Sequence, residues 1–203
     1  MTSISDAKVL GGIGSLLVLF SVVPNIGWLL GIAGFIMVLL AVKNISQVFS
    51  EPKIYRNMQN AVVLAIGAIV VGTITVVGTI YHLFSMGAFV GSRFVLPHSL
   101  TTSGLVGLAA IVVLGAIAVE ALLVFSAVFV RRSFTSIASK LNIHSFETAG
   151  LLFLIGAATA FVGVGLVLIV ISEILLAVSF FSIREPSEVP AANQPQAVAA
   201  NSH

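Results

Sequence analysis

The stretch AGLLFLIGAATAFVGVGLVLIVISEILLAVSFFSI, residues 149–183, decides how the chain is cut. It has 35 residues and a single charged type, Glu173. As one helix it is roughly 52 Å long, against a hydrocarbon core of about 30 Å. One bilayer crossing cannot use that length. Gly163-Val164-Gly165 is the natural turn, so the stretch reads as two spans, 149–162 and 164–183. Cut this way, it returns Arg184 to the side from which it left.

Working towards the N-terminus, apolar runs lie at 9–23, 26–42, 61–84 and 105–130. Six spans result. Pro24-Asn25 separates the first two, a turn pair favoured by Pro's missing N–H and by Asn's local hydrogen bonding. These two spans are only about 22–26 Å long, so the bilayer thins around them or neighbours shelter them. Two short hairpins thus occupy the two ends of the chain, flanking two longer central spans. A cleaved signal peptide is the rival reading of Lys8 and the run after it. Val22-Val23-Pro24 offers no small-x-small cleavage site, so an uncleaved first span is expected.

The charges agree with the cut. Lys8, Lys43, Lys53, Arg56, Arg131, Arg132, Lys140 and Arg184 all fall on one side, leaving Arg93 for the other. Basic residues concentrate in cytoplasmic loops, so both termini are expected inside the cell membrane. The chain of 203 residues is 59% hydrophobic and 8% charged, with a mean hydropathy of +1.18. A soluble surface needs about a quarter charged. The fold class expected is therefore all-α, a polytopic integral membrane helical bundle whose first partner is the lipid bilayer. The formal charge of +2 is spread over separate segments and forms no stripe suited to nucleic acid. With no cysteine there is no disulfide and no thiolate site.

Two segments stand outside the spans. Residues 131–148, RRSFTSIASKLNIHSFET, place Phe134, Ile137 and Leu141 at helical spacing behind Arg131, Arg132 and Lys140. This pattern predicts a short helix lying in the headgroup region. The outer connection 85–103, with Arg93, Pro97 and His98, is apolar enough to dip into the membrane surface. The tail 185–203 is rich in Pro, Ala, Asn and Gln without periodicity, and is expected to be disordered.

Small residues form seams. Gly27, Gly31 and Gly34 recur at spacings of four and three on span two, and Gly72 lies on span three. In lipid such residues promote helix association by letting backbones approach. Gly72 shares its stripe with Thr75, Thr79 and His82, a polar seam that reads either as a helix interface or as a cavity lining. Glu120 and Glu173 are the carboxyls well inside spans. Each precedes an arginine by 11 residues, Arg131 and Arg184, which puts both near the midplane if those arginines mark one membrane edge. An unpaired ionised carboxylate in hydrocarbon is expensive, so at least one is expected to be protonated. Two carboxyls at matched depth are candidates for proton or cation handling. Each is also readable as a neutral clamp between helices, with Thr75, Thr79, Ser126 and Ser172 as candidate partners.

Catalytic signals are absent. There is no HExxH, GxSxG or phosphate-cradling loop, and the four histidines are scattered. Neither an enzyme, a metal nor a cofactor is expected.

AKVLGGIGSLLVLFSVVPNIGWLLGIAGFIMVLLAVKNIS and FETAGLLFLIGAATAFVGVGLVLIVISEILLAVSFFSI, less than half the chain, resemble an uncharacterised archaeal family of small multi-span membrane proteins. The Gly-rich first hairpin with its Pro-Asn turn and the segment TAGLLFLIGA carry the resemblance. It implies an archaeal integral membrane protein of unknown function and supplies no active-site residues. The functional expectation is an accessory or scaffolding subunit acting through helix packing, with other subunits or further copies as partners. The alternatives are a small proton- or cation-coupled transporter using Glu120 and Glu173, and a lipid-handling protein using the basic segment 131–148.

Overall fold

A computed structural model describes residues 3–87, 89–90, 93–94 and 102–184. Six helices account for nearly all of them: α1 Ile4–Leu19, α2 Gly27–Val48, α3 Pro52–Ser85, α4 Thr102–Leu141, α5 Ser145–Ala158 and α6 Val164–Phe181. Between α3 and α4, Phe89–Val90 (β1) pairs antiparallel with Arg93–Phe94 (β2). Five helices are long and apolar enough to cross a membrane, and α5 is a shorter apolar helix. The protein is an all-helical membrane bundle.

Local chemistry sets the helix ends. Ser3 and Asp6 form a capping box on α1, each side chain accepting from the other's backbone N–H. Pro52 opens α3, where its missing N–H leaves no intrahelical bond unmade. Each of the five connections turns on a residue with positive φ: Asn25 (69°), Ser50 (52°), Gly87 (73°), Asn142 (56°) and Gly163 (84°). Gly and Asn tolerate that conformation best.

The two terminal hairpins are built alike. α1 runs into a 3-10 turn, Phe20–Val22, before Asn25 reverses the chain into α2. α5 is followed by a 3-10 turn, Ala160–Val162, before Gly163 reverses it into α6. Glycines let the arms touch backbone to backbone. A Cβ on Gly34 would lie 2.5 Å from Gly14 O, and one on Gly14 would lie 2.8 Å from Gly34 O. In the second hairpin Gly156 and Gly165 face each other's carbonyl oxygens in the same way.

The helices close into a ring, each packing on its chain neighbours and α6 returning to α1. The core sits at the end of the bundle that carries the basic residues. There Val42, Ile45, Ile54, Ile137, Phe146 and Phe180 are fully buried. Phe146 meets the Phe180 ring edge-on at 5.0 Å and Phe134 at 6.2 Å. Gly11 makes room for the Phe180 ring beside α1. Serine hydroxyls tie adjacent helices through backbone carbonyls: Ser126 to Ala61 (2.8 Å), Ser133 to Ile54 (3.0 Å) and Ser172 to Ala149 (2.7 Å).

One expectation is corrected. Residues 131–141 do not form a separate helix lying in the headgroups; they continue α4 as its last three turns. Phe134 and Ile137 are buried in the core, so the apolar stripe of this segment faces protein rather than lipid. The outer connection lies mostly, and the tail 185–203 wholly, outside the described residues.

Candidate functional site

The two carboxyls are not at one depth. Arg131 Cα lies against Gly150, where an added Cβ would sit 3.1 Å away. Ser172 bonds to the neighbouring Ala149. Glu173 is therefore level with Arg131, while Glu120 lies 11 residues further along α4, about 16 Å away. The expected match fails because Arg131 and Arg184 do not mark one edge. Arg184 lines a cavity with Leu141, ten residues beyond Arg131 on the extended α4.

The surroundings differ too. Glu173 faces an apolar cavity of about 220 Å³ among Val38, Met58, Val130, Phe134 and Leu176. Glu120 faces another, of about 500 Å³, with Ala116, Ile117, Val119 and Phe161. Its Oε1 is buried without a hydrogen-bond partner among the described residues. Three of the four serine and threonine partners expected for the two carboxyls bond elsewhere: Ser126 and Ser172 across to carbonyls, and Thr75 back to Val71 O at 2.9 Å. Phe161 belongs to the tip of the second hairpin, so that hairpin ends at the level of Glu120.

Beyond that level α4 has α3 as its neighbour. The polar seam of α3 turns towards it. Thr75 packs against Gly115, and His82 Nε2 lies 3.1 Å from Gly104 O. Thr79 is half-buried on the same helix. A Cβ added to Gly72 would lie 3.6 Å from Val119, an ordinary contact distance, so this glycine is not needed for a close crossing. Gly27 and Gly31, by contrast, sit tightly against Ser21 at the tip of the first hairpin. Large apolar side chains cover the outward faces of both long helices, among them Ile69 (67% exposed), Ile74 (66%) and Leu114 (67%). The most apolar 18-residue window of α4 contains no buried residue.

A polar cavity lies at the opposite end, and the sequence did not mark it out as one. About 520 Å³ in volume, it is lined by Asn57 of α3, Arg131, Arg132, Thr135 and Ser136 of α4, and Glu147 of α5. Val128 and Leu154 close its apolar side. Arg132 stacks over the Phe129 ring at 5.5 Å. Lys140, grouped with these arginines by sequence, instead pairs with Glu51 at 3.0 Å. The signal available beforehand was the Arg-Arg pair at the end of a long apolar run. Asn57 comes from another helix and only folding brings it there. Among the described residues no group of His, Asp or Glu is arranged to hold a metal ion.

Residues 30–174 match the model of the family described as "Protein of unknown function (DUF996)". The chain is also 32% identical over 184 residues to "Uncharacterized protein MJ1644" of Methanocaldococcus jannaschii, covering 89% of this chain and 93% of that protein. No solved structure matches it. The chain belongs to the DUF996 family, an uncharacterised family with an archaeal member.

Proposed function

We propose that this protein is a non-enzymatic accessory subunit of a membrane complex, engaging its partners through the outer halves of α3 and α4. The observation that carries the reading is the apolar surface of those helices beyond the hairpin tips, unpartnered among the described residues, where they lean on each other. The rest of the bundle is tied together by serine bonds and, towards the hairpin tips, by Gly–Gly crossings. Helix association in lipid depends on close packing and hydrogen bonds, because leaving lipid for another apolar surface gains little. In this reading the bundle is an anchor and the long hairpin a docking arm. Both termini lie in the cytoplasm, in line with the eight basic residues at that end. Affinity purification of the tagged chain from native membranes, followed by mass spectrometry, tests it. A stoichiometric partner is expected; recovery alone would overturn the reading.

A second reading, proton or cation movement, rests on Glu120 with its unpartnered buried oxygen. The separate cavities of Glu120 and Glu173 favour one carboxyl over a shared pair. It predicts that vesicles containing the protein show a flux which Glu120→Gln reduces and Glu173→Gln leaves in place. Equal flux in wild type and Glu120→Gln would remove it.

A further inference from the structure

We infer that the cavity between α3, α4 and α5 at the basic end binds the phosphate of an anionic membrane lipid. Three observations converge on it. Arg131 and Arg132 both line it, and neither forms an ion pair with a carboxylate among the described residues. The carboxylate on its rim, Glu147, leaves the two guanidinium groups in excess by one charge. Guanidinium forks match phosphate oxygens in a bidentate geometry. Asn57, Thr135 and Ser136 add amide and hydroxyl donors around the same space.

Depth identifies the source of the phosphate. The cavity lies where both long helices change character: Arg131 follows the apolar run 105–130 of α4, whose one charged type is Glu120, and Asn57 comes four residues before the run 61–84 of α3. A lipid phosphate sits at that boundary. The wall is divided accordingly, polar on one side and closed by Val128 and Leu154 on the other. Further from the basic end Phe125 and Ile155 are exposed, giving acyl chains an apolar surface beyond the cavity. A soluble phosphate has no use for that surface. Phe129 holds the Arg132 guanidinium by its face, leaving the edges of the fork for an anion. Basic pockets between membrane helices bind anionic headgroups for these reasons.

The test uses the full chain in mixed micelles with equal dioleoyl phosphatidylglycerol and dioleoyl phosphatidylcholine, and native mass spectrometry to count retained lipid. One phosphatidylglycerol per chain is expected in preference to phosphatidylcholine. A basic residue near a headgroup is worth about fivefold in affinity, so Arg131→Gln and Arg132→Gln each weaken retention about fivefold and the double variant about 25-fold. Lys53→Gln and Lys140→Gln, outside the cavity, leave it unchanged. Arg131→Lys keeps the charge and recovers part of the loss, while thermal unfolding of each variant reports whether the fold is intact. Equal retention of the two lipids, or of phosphatidylglycerol by the folded double variant, overturns the inference. So does release of the lipid by millimolar inorganic phosphate, which would make this a site for the free anion.

Discussion

Replacing Gly34 by alanine tests whether the arms of the first hairpin meet backbone to backbone. A Cβ there would lie 2.5 Å from Gly14 O, 2.7 Å from Val18 N and 2.8 Å from Leu17 Cβ, where ordinary contact begins at 3.4 Å. Two of the three atoms are backbone, so no rotamer change relieves the overlap. α1 and α2 must separate by about 1 Å, a gap that forfeits a quarter to a half of the dispersion attraction at each contact. Overpacking of this kind destabilises by about 1–3 kcal/mol. Against it stands the intrinsic gain of Gly→Ala inside a helix, up to about 1 kcal/mol. The net effect is a loss of about 1–2 kcal/mol. Gly67→Ala is the control, because its Cβ meets only Leu122 Cδ1, at 3.9 Å. There the intrinsic gain stands alone and the sign reverses. At about 2–4 °C per kcal/mol for a chain of this size, thermal unfolding in mild detergent should show Gly34→Ala lower by about 2–8 °C. Gly67→Ala should be unchanged or up to about 4 °C higher. Gly34→Ala as stable as wild type would refute the close crossing.

Ser133→Ala removes the buried hydroxyl that holds α4 to Ile54 O, and should lower stability by about 1 kcal/mol in the same thermal scan; no change would show that the bond contributes nothing. Glu51→Gln breaks the pair with Lys140, whose side chains are 28% and 43% exposed, so the loss should stay below about 1 kcal/mol and disappear in molar salt. Because the chain lacks cysteine, Asn142→Cys and Ser85→Cys can be labelled cleanly with an impermeant maleimide. Asn142→Cys should react from the cytoplasmic side and Ser85→Cys from the other; labelling of both from one side would break the proposed orientation.

The helices and their hairpins were legible in the sequence because each signal was local. A 35-residue apolar stretch exceeds one crossing, and Gly163 and Pro24-Asn25 are turn residues whatever surrounds them. Glycine spacing pointed to α2, and the structure places Gly34 against Gly14. What sequence could not carry was the offset between helices. Arg131 and Arg184 share no edge, because α4 continues ten residues past Arg131 before it turns at Asn142. That continuation displaced Glu173 from the level of Glu120. It also took Phe134 and Ile137 out of the headgroup region and into the core. An amphipathic pattern behind two arginines looks the same whether its apolar stripe meets lipid or protein. Tertiary packing decides, and so it does for the cavity that Asn57 completes from α3.

In the proposed function α3 and α4 dock a second protein through their exposed apolar faces. Photo-crosslinking in native membranes tests it most directly, with a photoreactive residue at Leu114 on the exposed face of α4 and another at the buried Ala127 as control. A discrete product of higher mass is expected from Leu114, containing a second protein, and none from Ala127. Only lipid adducts at Leu114 would contradict it.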